Sequence, residues 1–275
     1  MLKILQQFNK YNLPTINELL VIIFVFALGF LILRPSYQFD HRHNTKQSNH
    51  ANHIKAFHDQ KTKSTVSSPS KSIEKDNSIP PIIDGLAPVI STIPTSEHVV
   101  FLGIDDGAIK QQSDLSMMQQ NNIKASLFLA NIFIKDNPQF FTQFQAEGSV
   151  IEDHTVNHKV PFNQLSYSQQ VSEICGQADL EQQEFGKRPT LFRPPGGAYN
   201  IDTQRAAATC GMKAVVLWIA KANGGSMQYQ VGNSLHPGDI VLMHFRPEFQ
   251  ADMQAFIDAQ NAAGLHTELL ENWVQ

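Results

Sequence analysis

Cysteine is scarce in this chain: 2 residues in 275, too few for a disulfide scaffold and without the paired spacing of a zinc finger. A basic excess is missing as well. Lysine and arginine number 21 against 25 acids, for a net charge of -4, which leaves no electropositive footprint and excludes nucleic acid as a partner. Long apolar runs are nearly absent. The one that stands out, Leu19–Leu33, is fifteen residues long and carries no charge. At about 1.5 Å per residue it reaches roughly 22 Å, short of a hydrocarbon core of roughly 30 Å. Starting from Ile16 and letting Arg34 snorkel closes part of the gap. Lys3 and Lys10 precede the run, and no small-x-small cleavage site follows it at Leu31-Ile32-Leu33-Arg34-Pro35. Residues 1–35 are therefore expected to be a short cytoplasmic stub and an uncleaved signal anchor, a transmembrane helix that makes the membrane a partner and leaves the rest extracytoplasmic. Arg34, Arg42 and Lys46 on the far side blur the positive-inside signal.

The next stretch, residues 36–90, lacks hydrophobic periodicity and is rich in Asn, Gln, Ser, Lys and His. Such a composition cannot bury enough apolar surface to order itself and reads as a solvated linker. Five of the 11 histidines fall here (His41, His43, His50, His53, His58), so a metal-scavenging tract competes with a plain tether. Ile79 to Pro94 reads as an extended lead-in to a folded domain over residues 91–275.

In that domain short β-like runs alternate with helical patterns. Strands are expected at Val99–Ile104, Ala125–Leu129, Ser149–Glu152, Leu191–Arg193, Lys213–Trp218 and Asp239–Phe245. Helices are expected over Ser113–Asn121, Pro138–Ala146, Ser168–Phe185 with Ser168 as cap, Asp202–Cys210 and Glu248–Ala263, the last closed by Gly264. This alternation argues for an α/β fold with parallel strands and crossover helices; by itself it does not separate a barrel from an open sheet.

The chemistry gathers at strand ends, where α/β barrels place their sites. His154-Thr155-Val156-Asn157-His158 sets two imidazoles four residues apart, able to face one way from a helical turn or a curled loop. A carboxylate from elsewhere would complete a three-ligand site for a borderline metal such as zinc and leave a coordination position open, the mark of a catalytic metal. The acids of Ile104-Asp105-Asp106-Gly107 qualify. Adjacent strand side chains point oppositely, so two neighbouring carboxylates serving one site need a bend, and Gly107 permits it.

These motifs, followed by Arg193-Pro194-Pro195-Gly196-Gly197 and Leu242-Met243-His244, resemble in order and spacing those of the polysaccharide deacetylases (carbohydrate esterase family four, the NodB homology domain), from about Val99 to Gln275. The resemblance implies a distorted (β/α)7 barrel and a metal-dependent hydrolase removing N-acetyl groups from a cell-envelope or extracellular polysaccharide of the N-acetylglucosamine type. It implies Asp106, His154 and His158 as ligands of a divalent metal, zinc or else cobalt. Asp105 then becomes the general base, Arg193 its partner, and His244 the general acid that protonates the leaving amine. Gly196, where the family often has tyrosine, offers a backbone N–H as oxyanion donor. Trp218 and Tyr199 are candidates for an aromatic wall against the sugar, or for plain core. Two positions depart from the family pattern. Gly103-Ile104 replaces Thr-Phe before the two acids. Lys221, three residues after Trp218, stands where an aspartate usually orients the acid histidine. A catalytically weak carbohydrate-binding pseudo-enzyme and an O-acetyl esterase are the alternatives. A disulfide between Cys175 and Cys210 is expected if the domain lies outside the membrane; two buried thiols are the other outcome.

Overall fold

A computed structural model describes residues Ile79–Val274. The signal anchor and most of the polar linker expected from the sequence lie outside the described residues, and among those described no helix is long and apolar enough to cross a membrane. The folded chain begins within the lead-in: Ile79 and Ala87 are buried, and strand β1 (Val89–Ile90) already belongs to the sheet.

From β1 the chain enters β2 (Val99–Asp106) and returns through α1 (Gln112–Gln120) to β3 (Ser126–Leu129). A single turn, α2 (Asn131–Ile134), and α3 (Gln139–Ala146) lead to β4 (Val150–Asp153). The long α4 (Tyr167–Phe185) precedes β5 (Leu191–Phe192), and α5 (Ile201–Thr209) precedes β6 (Ala214–Val216). A hairpin follows, β7 (Ala220–Ala222) and β8 (Met227–Tyr229), then β9 (Ile240–His244), α6 (Phe249–Ala262) and β10 (His266–Glu268).

The strands run in the order β1-β6-β5-β4-β3-β2-β9-β7-β8, parallel except for the β7–β8 hairpin, and β10 pairs in parallel with the start of β2. From β1 to β9 this order has seven strands, the six expected from the sequence and β1, which lies in the stretch read as linker, and the ring is not closed by a ladder. Between β1 and β9 runs one isolated antiparallel bridge, Thr92–Asp239, beside a bond from the Ile93 N–H to the Gly238 carbonyl at 2.8 Å. A Cβ on Gly238 would lie 1.9 Å from the Ile93 carbonyl oxygen, so only glycine allows this approach. The architecture is an α/β half-barrel.

β2 shows how the sequence builds the layers. All eight of its residues are buried, as expected of a strand covered on both faces. Val100, Leu102 and Ile104 pack outward with Leu115, Met118 and Phe141 of the helices. Val99 and Phe101 face inward with Leu270, Trp273 and Val274 of the C-terminal segment, which plugs the barrel; the Phe101 and Trp273 rings meet edge to face at 5.5 Å. By the two-residue period, Gly103 and Asp105 continue the inward row toward the strand's C-terminal end.

The cap of helix α4 lies two residues before the expected one. Ser166, not Ser168, caps it, because Gln169 three residues on completes a reciprocal capping box with the Ser166 backbone. Its N-terminal half is bound to the next helix by the Cys175–Cys210 disulfide, with a Cα separation of 5.0 Å.

Candidate metal centre and the cleft beside it

The site forms where β2 and β4 end. Asp105 leaves β2 on the inward face. Asp106 then adopts φ 78° and Gly107 φ 79°, a left-handed pair that turns the second carboxylate back toward the first. The sequence placed this bend on Gly107 alone; half of it is carried by Asp106, a conformation that costs energy in a residue with a side chain and recurs at functional sites. At the end of β4, His154 enters a curled loop rather than a helix. Thr155 and His158 also have positive φ, the Thr155 N–H donates to Asp153 at 2.9 Å, and the His158 N–H donates to the Thr155 hydroxyl at 3.0 Å. Glu173 of α4 accepts two bonds from Asn157, 2.8 and 2.7 Å, and pins the loop.

This brings Asp106, His154 and His158 together, their ligand atoms all within 4.8 Å of one another. Nε2 of His158 lies 3.2 Å and Nε2 of His154 3.6 Å from the same Asp106 oxygen. Nδ1 of His154 is 2.7 Å from the Arg193 carbonyl oxygen, which can only accept, so Nδ1 carries the proton and Nε2 presents its lone pair to the cluster. Burial pushes the Asp106 carboxyl up, but the two facing imidazoles outweigh it and hold the group well below the usual carboxylate range. One ionised oxygen and two imidazole nitrogens, one of them fixed in tautomer by a backbone carbonyl, form a donor set that fits a borderline divalent cation.

Asp105 lies beside the triad, one of its oxygens 3.7 Å from Nε2 of His154. Arg193, fully buried, donates to Asp105 from Nη1 at 2.6 Å and to the Val216 carbonyl from Nε at 3.2 Å. The guanidinium lies over the Phe128 ring at 4.1 Å and fills the space where Gly103 has no side chain; a Cβ there would stand 2.4 Å from Nη1. Neither Phe128 nor Gly103 was read as a site residue, although Gly103 is one of the two departures from the family motif. His244 is the register neighbour of Asp105 on β9. Burial pushes its imidazole below the ordinary value, Asp105 and Asp106 oppose that, and Arg246 and His154 reinforce it. Lys221 is not among the charges that shift it. Arg246, a further cation that sequence reading missed, reaches Asp106 at 3.7 Å; a cation just beyond the strand carrying the acid histidine was its only signal.

Gly196 occupies a tight turn with φ 66°, nearest to Val160. Trp218 lies against Gly197, and the Arg193 guanidinium stands 5.9 Å from its ring. Trp218 also walls a cleft of about 250 Å3 with Lys221, Gln228, Tyr229 and Gln230. Tyr199 is exposed and does not line that cleft.

The chain matches the family model for polysaccharide deacetylase over residues 92–215. A peptidoglycan-N-acetylglucosamine deacetylase of Bacillus cereus is 30% identical over 162 residues, covering 55% of this chain and 75% of that protein. An uncharacterized protein of Streptomyces coelicolor is 33% identical over 195 residues, 69% of this chain and 78% of its own. Among solved structures, a carbohydrate esterase family four pseudoenzyme from Bacillus anthracis has the same fold, with TM-score 0.59, 18% identity and coverage of 69% and 70% of the two chains.

Proposed function

The chain belongs to the polysaccharide deacetylase family, and from that membership we propose that it is a metal-dependent hydrolase removing N-acetyl groups from an N-acetylglucosamine-type glycan. The observation that carries the proposal is the convergence of Asp106, His154 and His158 beside a second carboxylate, Asp105, that a buried arginine holds in place. Asp106, His154 and His158 would hold a divalent ion, zinc first and cobalt next. When bound, the ion supplies Lewis acidity at the amide carbonyl. Asp105, positioned by Arg193, takes a proton from the attacking water as its oxygen bonds to the carbonyl carbon. The Gly196 N–H is the candidate donor to the oxygen that becomes negative. His244 then donates a proton to the amide nitrogen as the C–N bond breaks, releasing acetate and a free amine. Trp218 offers a face to the sugar ring, while Tyr199 stands apart from the cleft.

Lys221, in place of the aspartate usual in the family, favours the pseudo-enzyme as a second reading; the intact Asp105–Arg193 pair and triad favour the enzyme. The Cys175–Cys210 bridge supports an oxidising, extracytoplasmic location, consistent with a signal anchor at Leu19–Leu33. One assay separates the readings: the purified full chain with zinc or cobalt on acetylated oligosaccharides, scoring acetate and free amine separately. Equal amounts of both are expected. Acetate without amine would identify an O-acetyl esterase, and glycan binding with neither product a pseudo-enzyme.

A further inference from the structure

We propose that the cleft walled by Trp218 is a subsite for a sugar bearing a carboxylate, recognised by Lys221; this rests on the deacetylase reading and adds its substrate class. Register fixes where Lys221 faces. On β7 it stands opposite Leu242 of β9, with Ala220 opposite Val241. Ala220, Ala222, Val241 and Met243 all pack in the helix-side core. Registered neighbours share a face, so Lys221 lies on the other one with Leu242 and His244, the face that also carries Asp105. Gln228, its antiparallel partner on β8, shares that face.

The cleft's chemistry is that of a sugar site with one addition. Trp218 supplies apolar ring surface, and Gln228 and Gln230 supply amide donors and acceptors. Those groups suffice for a neutral pyranose. The addition is an ammonium with no internal counter-charge: no carboxylate among the described residues forms an ion pair with Lys221. Lys221 is not among the charges that shift His244. A carboxylate on the neighbouring sugar supplies the missing partner. The connection to the reacting centre is Trp218, which walls the cleft and stands beside Arg193 and Gly197.

The test compares kcat/KM of the full chain on neutral N-acetylglucosamine oligomers with that on two acidic series, one with a lactyl ether and one with glucuronate on alternate sugars. The acidic-to-neutral ratio is the readout, so a general loss of fold or activity cancels. In the wild type the ratio exceeds one and falls as salt is raised. Lys221→Gln lowers it about tenfold, the scale of one charge-assisted hydrogen bond, and Lys221→Glu lowers it further. The series with the larger loss identifies the carboxylate's source. Calorimetric binding of the same oligomers is measured alongside. Ratios equal in wild type and both variants overturn the subsite. Lys221-dependent binding of acidic oligomers without acetate release supports the subsite and refutes the deacetylase reading instead.

Discussion

At the scale of single residues, the site depends on what is small as much as on what is charged. Gly103 leaves the volume that the Arg193 guanidinium occupies, so Gly103→Ala would push that group off Asp105. We expect kcat/KM to fall at least about tenfold with little change in metal content, because a misplaced catalytic group is costly even when binding survives; unchanged kcat/KM would show that the guanidinium relaxes elsewhere. The triad makes a different prediction. In a His154→Ala/His158→Ala variant two of three donors are gone, and the protein should retain no stoichiometric zinc by elemental analysis while the circular dichroism of the fold persists. Full zinc content in that variant would rule out the assignment. Lys221 stands where the family's aspartate would orient His244, but the causes that lower the His244 imidazole are burial, Arg246 and His154.

At the scale of elements, the strands carrying the motifs were legible because β2 and β9 are apolar runs between turn signals, and their ends could be matched to chemistry. The β7–β8 hairpin was missed, although Asn223-Gly224-Gly225-Ser226 is a strong turn signal and both glycines have positive φ. Its strands have three residues each, too few for a period to show. The disulfide between α4 and the end of α5 was left open by the sequence, because loop length says nothing about whether two Cα atoms come within bridging distance. It closes a separation of 35 residues, so replacing both cysteines by alanine should cost about 3–4 kcal/mol in denaturant unfolding. Reductant should destabilise the wild type alone; equal stability of the two proteins would mean the bridge does not form.

At the scale of the molecule, the half-barrel is filled from below by its own C-terminal segment, and that plug carries an acid. Glu271 is buried near Glu152. Burial pushes both carboxyls up, and the charge of Glu271 adds to the rise at Glu152, against hydrogen bonds that Glu152 accepts from the Thr190 and Leu191 N–H groups. A carboxyl raised on folding binds its proton more tightly in the native state. Its contribution to stability is therefore intact below the unfolded value near 4.5 and is lost as pH rises toward the folded value. Glu271→Gln removes that loss. We expect the variant to match the wild type near pH 4 and to exceed it by about 1–3 kcal/mol at pH 8, the scale of an uncompensated buried polar group. A constant difference across that range would place the carboxyl in water.

The amino-acid sequence alone determined the alternating α/β class, the strand ends that carry the motifs, and the identity of the charged side chains. Each of these is written in local patterns: hydrophobic period, turn residues, and the fixed spacing of two histidines. Three things were decided only by tertiary structure. The ring stays open between β1 and β9, because two strands separated by some 150 residues meet at one isolated bridge, Thr92–Asp239, and the glycine contact beside it. Arg193 lies over Phe128 in the space left by Gly103, a fit among three strands that no linear pattern encodes. Lys221 faces the cleft because its register with β9 turns it that way, and a one-residue slip would have sent it to the opposite face.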